Sequence, residues 1–272
     1  MMGAQNRADI EYRSLLDLTY LVGQALQGKK VTDERLYHCE GLAAKLFFHC
    51  WTIYSLSRGT SVQLPGAEQV GYHDFSSITV LARAVLETYL AMFEVFVAPG
   101  TDDEREFRHA CWLLSGFVLR ERWQPSSRVA EKFAAAKKDI QQMRSRIKAT
   151  EVYHGLTPGK KKRVLERGRL ARPLRQRLTE AHFGMATWSN EYAYQSSHVH
   201  ADGLSAVQVK SAATREEQAW LMQPQMEIAK VAMSKMICDY VAMFPESREV
   251  AEANPQTYTS AQVFSGAARA LP

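Results

Sequence analysis

The sequence predicts an all-α protein, a single helical bundle of about seven helices with the third at its centre. Three observations predict it. Apolar residues recur at helical spacing along nearly the whole chain, no run alternates as a half-buried strand would, and cap and breaker residues fall at helix-length intervals. Composition agrees. With 46% hydrophobic and 23% charged residues, the chain has enough apolar content for a substantial core and too little charge for disorder.

The first helix covers about Ala8 to Leu26 and ends near Gly28. Thr32, followed by Asp33 and Glu34, caps a second that runs to about Ser57. Residues 58–73 carry the Gly, Pro and Ser of a loop. Asp74 caps the third helix, which stops at Pro99-Gly100, and Thr101 with Glu104 forms a capping box opening a fourth to about Arg122. Gln124-Pro125-Ser126 breaks it, and Ser127 to Thr150 makes a charged fifth helix. Residues 151–178, interrupted by Pro158, Gly159, Gly168 and Pro173, are irregular or short-helical, an insertion or excursion on one end of the bundle. A sixth helix runs from about Thr179 to His200, and a second capping box, Thr214 with Glu217, starts a seventh that reaches Phe244-Pro245. Residues 1–245 thus form one bundle domain, and 246–272 a loosely docked peripheral tail.

Cys39, Cys50, Cys111 and Cys238 are scattered without a C-x-x-C pair, which removes zinc ribbons and redox dithiols. The polar start MMGAQNRADIEYR lacks the apolar centre of a secretory signal, so a cytoplasmic protein with free thiols is expected. The one long apolar run, Phe75 to Ala98, contains Arg83, Glu87 and Glu94. Each such charge costs roughly 2.5–3.5 kcal/mol at a bilayer centre, so no membrane partner is expected.

Within that run Phe75, Ile78, Val85, Tyr89, Met92 and Phe96, with their apolar neighbours, cover every face of the third helix. A helix apolar all round belongs inside a domain. Arg83 and Glu87 share one line on it at i,i+4. On a surface that is an ordinary helix salt bridge. In a core, desolvation costs several kcal/mol per ion unless further hydrogen bonds meet the pair, and a polar cleft would supply them.

The segment 187–203, TWSNEYAYQSSHVHADG, mixes aromatics, hydroxyls and imidazoles at high density. Tyr192, Ser196 and His200 fall four apart on one face, while Asn190, Tyr194 and His198 form a second row. His200 at the helix end is a C-terminal cap in one reading and a general acid/base beside Arg83 in another. His198-x-His200-x-Asp202 splays its side chains on a helix and no Cys/His cluster joins it, so no metal is expected. Ser196 with His200 lacks the G-x-S-x-G frame of a nucleophile elbow. Gly155 to Lys161 is one residue short of a phosphate loop and follows no strand, and no cofactor is expected. Arg83, Glu87, Tyr192, Ser196 and His200 are the candidate catalytic set. They are expected to converge between the third and sixth helices, Glu87 holding the Arg83 guanidinium directly.

Charge is concentrated elsewhere. Between Pro158 and Arg177 stand nine basic residues and one acid, a local +8 in a chain of net +5, which leaves the remainder at −3. Lys160, Lys161, Lys162, Arg163, Arg167 and Arg169 are the candidate nucleic-acid-binding residues, since such a stretch attracts phosphate. A protein partner, a second copy of the chain or a merely solvated face are the alternatives.

The helix FSSITVLARAVLETYL with Arg83-x-x-x-Glu87, followed about a hundred residues later by Tyr192-x-x-x-Ser196-x-x-x-His200, resembles a widespread bacterial all-helical domain family of unknown function. More remotely it is similar to the HEPN superfamily of helical ribonucleases and defence proteins. Their hallmark Arg, a few residues before a His, has no counterpart before His198 or His200, so Arg83 would supply the charge from another helix. The resemblance implies a bacterial protein of a defence or stress system, with HEPN-like ribonuclease activity. The function expected from sequence is a cytoplasmic helical protein that binds nucleic acid. The alternative is a non-enzymatic helical protein-interaction module.

Overall fold

The computed structural model describes residues 2–29, 33–66, 68–121, 130–169 and 172–268. Two long helices, α1 (Met2–Gln24) and α2 (Glu34–Ser57), precede an antiparallel hairpin of β1 (Thr60–Val62) and β2 (Val70–Tyr72), in which Ser61 lies opposite Gly71. Next come α3 (Phe75–Met92), a π-turn (Phe93–Val97), α4 (Asp102–Glu121) and α5 (Ala130–Lys148). Four short helices follow: α6 (Glu151–His154), α7 (Pro158–Arg167), α8 (Leu174–Glu180) and, longer than these, α9 (Met185–Val199). The chain ends with α10 (Gly203–Ser211), α11 (Arg215–Met243), α12 (Pro245–Glu252) and α13 (Pro255–Ala267).

The all-α expectation holds, and the helix count does not. Thirteen α-helices occur among the described residues where about seven were expected. The expected sixth helix breaks between α8 and α9, where His182 takes a left-handed φ of 59°. Asp202 then starts the separate α10, accepting from the backbone N–H groups of Leu204 and Ser205. Of the two forms expected for residues 151–178, irregular or short-helical, the described residues take the second, as α6, α7 and the start of α8. Residues 246–268 are not a loose tail, for α12 and α13 pack on α1 and α11 and buried Ser247 donates to the Val22 carbonyl at 2.8 Å. The hairpin replaces part of the expected loop, its three-residue strands being too short for any alternation to register. The expected cap at Thr32, the end at Arg122, the break at 124–126, the start at Ser127 and the last four residues lie outside the described residues. Asp33 caps α2 instead, accepting from the Arg35 N–H at 2.9 Å.

Two compact units form, one of residues 1–92 with 178–272, the other of residues 93–177. In the first, α3 packs against α2, α9 and α11. It is central, as its all-round apolar surface requires. The hydroxyls of buried Thr79 and Thr88 bond back to the carbonyls of Phe75 and Ala84, so neither is left unsatisfied. α2 presents Cys39, Ala43, Leu46, Cys50 and Ile53 at alternating four- and three-residue steps, and α11 is buried without interruption from Ile228 to Ile237.

In the second unit, Phe107, Ala110 and Leu114 of α4 meet Ile140, Met143 and Ile147 of α5, and Val164 of α7 enters the same cluster. Gly168 ends α7 at a φ of 65° so close to α4 that a Cβ there would fall 2.2 Å from the Ser115 nitrogen. Only glycine permits that approach. Among the described residues no helix is long and apolar enough to cross a membrane.

Candidate functional site

Helix α9 sets Tyr192 and Ser196 one turn apart, facing Arg83 and Glu87 one turn apart on α3. The Arg83 guanidinium donates from Nη1 to Ser196 Oγ at 2.8 Å and from Nη2 to Tyr192 OH at 2.9 Å. Tyr192 in turn donates to Glu87 Oε1 at 2.5 Å. The link from Arg83 to Glu87 therefore runs through the phenol, where a direct pair was expected. Arg83 also lies 4.4 Å from the Tyr192 ring centroid, a cation–π contact. Burial, then the hydrogen bond to Glu87, raise the Tyr192 pKa, and Arg83 opposes them. The phenol stays protonated and keeps its role as donor.

Four of the five expected residues thus come together, and His200 stands apart from their hydrogen bonds. It is the C-terminal cap residue of α9, its backbone N–H bonded to the Ser196 carbonyl at 3.0 Å and its side chain exposed. The structural reading of His200 as a helix end is the one realised.

The buried imidazole is His198. Its Nδ1 lies 3.0 Å from Ser76 Oγ of α3, and its Nε2 lies 3.0 Å from Gln208 Oε1 of α10. A carbonyl oxygen on Gln208 requires Nε2–H, which leaves Nδ1 to accept from Ser76. Phe75 and Tyr194 pack edge-on against the ring. Gln195 donates to Gln225 of α11, which donates to Glu191. Side-chain hydrogen bonds therefore hold α9 to three helices, and both His198 nitrogens are engaged. Among the described residues no three His, Cys, Asp or Glu side chains gather as a metal site.

Chemically the Arg83 cluster is suited to holding rather than to proton transfer. Arg83 uses two of its five N–H groups, and Ser196 spends its oxygen as an acceptor, so each keeps donor capacity. No imidazole shares their hydrogen bonds.

The basic residues lie in the second unit. On α7 and its C-terminal turn, Lys160, Lys162, Arg163, Arg167 and Arg169 are exposed. Lys161 is half-buried, its Nζ 5.4 Å from the Tyr153 ring. Val164 is the inward anchor. The one acid on the helix, Glu166, stands 3.9 Å from Lys162 in an exposed i,i+4 pair worth a few tenths of a kcal/mol, about 0.3–0.5. Arg177 differs from these, being paired with Glu94 at 3.0 Å, both largely buried.

A second face of α2 carries a feature the sequence pattern contains but does not announce. Tyr37, Glu40, Ala44, Phe47, Phe48 and Trp51 follow three- and four-residue steps opposite the core stripe. With α1 and α11, all of these but Trp51 border a cavity of about 830 Å³.

Fold and sites define an all-α protein with a polar cluster tying two helices of one unit and a basic helix in the other. Compared with known proteins, the chain matches no family model, no curated protein and no solved structure.

Proposed function

We propose that the protein binds nucleic acid through the basic face of α7. The carrying observation is that Lys160, Lys162, Arg163, Arg167 and Arg169 are exposed around a folded helix whose only acid is Glu166. Holding these charges near one another on an anchored helix costs electrostatic free energy that a polyanion relieves. Arg83, Glu87, Tyr192 and Ser196 serve the fold in this reading, fixing α9 on α3. Cleavage of the HEPN kind needs an imidazole beside the arginine. His200 lies outside the cluster's hydrogen bonds and His198 is committed to Ser76 and Gln208, so binding is favoured over catalysis.

The test is fluorescence anisotropy with a labelled single-stranded RNA and a labelled DNA duplex at fixed moderate salt. Replacing Lys160, Lys162, Arg163 and Arg167 together by Ala is expected to weaken binding at least about tenfold, with the circular dichroism spectrum unchanged. Equal affinity of the two proteins would remove α7 as the interface. No binding by either would leave the interaction-module reading in its place.

A further inference from the structure

We infer that the cavity between α1 and α2 is a binding site for an organic cation with an apolar body, Glu40 supplying the counter-charge. The site lies wholly within the first unit and does not depend on nucleic-acid binding. Its volume, about 830 Å³, falls in the range of small-molecule pockets. Gly23 on one side and Ala43 and Ala44 on the other leave the space open, and Met236 and Tyr240 of α11 also line it.

Its walls are aromatic. Tyr37 and Phe48 are 68% and 64% exposed, and Tyr20 of α1 packs against Phe47 of α2 with ring centroids 5.8 Å apart. Large rings left facing water on both sides of a cleft are ready for a ligand to cover.

Charge selects among ligands. Glu40 is half-buried on this aromatic face and, among the described residues, makes no hydrogen bond or ion pair. Among the described residues the other charged ones at the cavity, Lys29 and Glu34, are exposed at its edge and opposite in sign. Burial raises the Glu40 pKa, so its charge is held at a cost. A neutral apolar ligand would deepen that burial without pairing the carboxylate, and an anion would be repelled. A bare metal ion finds no set of three His, Cys, Asp or Glu ligands among the described residues. An alkyl or aryl ammonium pairs with Glu40, lays its charge against ring faces and buries its body among them.

Three probes share one body and differ in charge: 4-phenylbutylammonium, 4-phenylbutanol and 4-phenylbutyrate. Titration calorimetry on the full chain at neutral pH is expected to rank the cation first by about tenfold over the alcohol, with the carboxylate last. Glu40→Gln should bring the cation down to the alcohol's affinity while leaving the melting temperature equal or higher. Tyr37→Ser, at an exposed position that folding tolerates, should weaken the cation several-fold. Ala44→Trp should fill the cleft and abolish binding of all three. Equal binding of the three probes, none at millimolar concentration, or a cation preference that survives both Glu40→Gln and Tyr37→Ser would overturn the assignment.

Discussion

Tyr192 is the residue on which the Arg83 cluster turns, because its hydroxyl both accepts from Arg83 and donates to Glu87. Tyr192→Phe removes both bonds in a half-buried place, and a loss of about 1–3 kcal/mol in urea unfolding is expected. Ser196→Ala removes one bond, and about 0.5–1.5 kcal/mol is expected. An unchanged midpoint for Tyr192→Phe would mean that the cluster does not hold the helices. The partners were legible in the sequence: a four-residue line of polar groups on a helix destined for the core needs a matching line, and Tyr192, Ser196 and His200 made the richest polar candidate. The relay through the phenol was not legible, since spacing places side chains on a face but does not order their hydrogen bonds. Asp239 is a second residue with a measurable signature. Burial, the larger effect, raises its carboxyl above the usual range, against the Tyr89 hydrogen bond at 2.8 Å and the nearby Lys235. The folded state therefore binds this proton more tightly than the unfolded chain does. Its stabilising contribution is full below the ordinary aspartate value, about 4, and is lost as pH rises through the higher folded value. Asp239→Asn should flatten that part of the curve of unfolding free energy against pH, and an identical slope in both proteins would contradict the assignment.

Single elements explain why helix starts were easier to read than helix ends and breaks. The Thr214–Glu217 capping box forms in full, and Thr101 accepts from the Glu104 N–H while the Glu104 carboxylate turns to the Gly100 N–H. These interactions are local, so the sequence carries them. The break between α8 and α9 is not local. His182 accepts a left-handed φ there, and Phe183 packs on Tyr89, a contact that comes from distant chain. Helix α7 rests on a similar non-local device at Gly168. Gly168→Ala places a Cβ against the Ser115 and Cys111 backbone at a left-handed φ, where neither the residue nor its neighbours can give way. A loss of at least about 2 kcal/mol in the unfolding free energy is expected, with weaker nucleic-acid binding as α7 shifts from its seat. A variant as stable as the parent would show that α7 is not held by that contact.

For the whole molecule, the all-α class and the charge imbalance were open to reading because both are sums over many residues. The division into two units was not, since the chain leaves the first at Met92 and returns at Leu178 without a Pro- or Gly-rich linker at the crossing. The imbalance carries the central claim, for the +8 stretch stands against a remainder of −3. Its most direct test is the slope of log Kd against log salt concentration for a labelled single-stranded RNA, measured on the parent and on the Lys160, Lys162, Arg163, Arg167 alanine variant. If each of the four side chains meets a phosphate, the parent's slope is steeper by about 3, at about 0.7 per contact. Parallel slopes, or binding by the parent that salt does not weaken, would contradict the account.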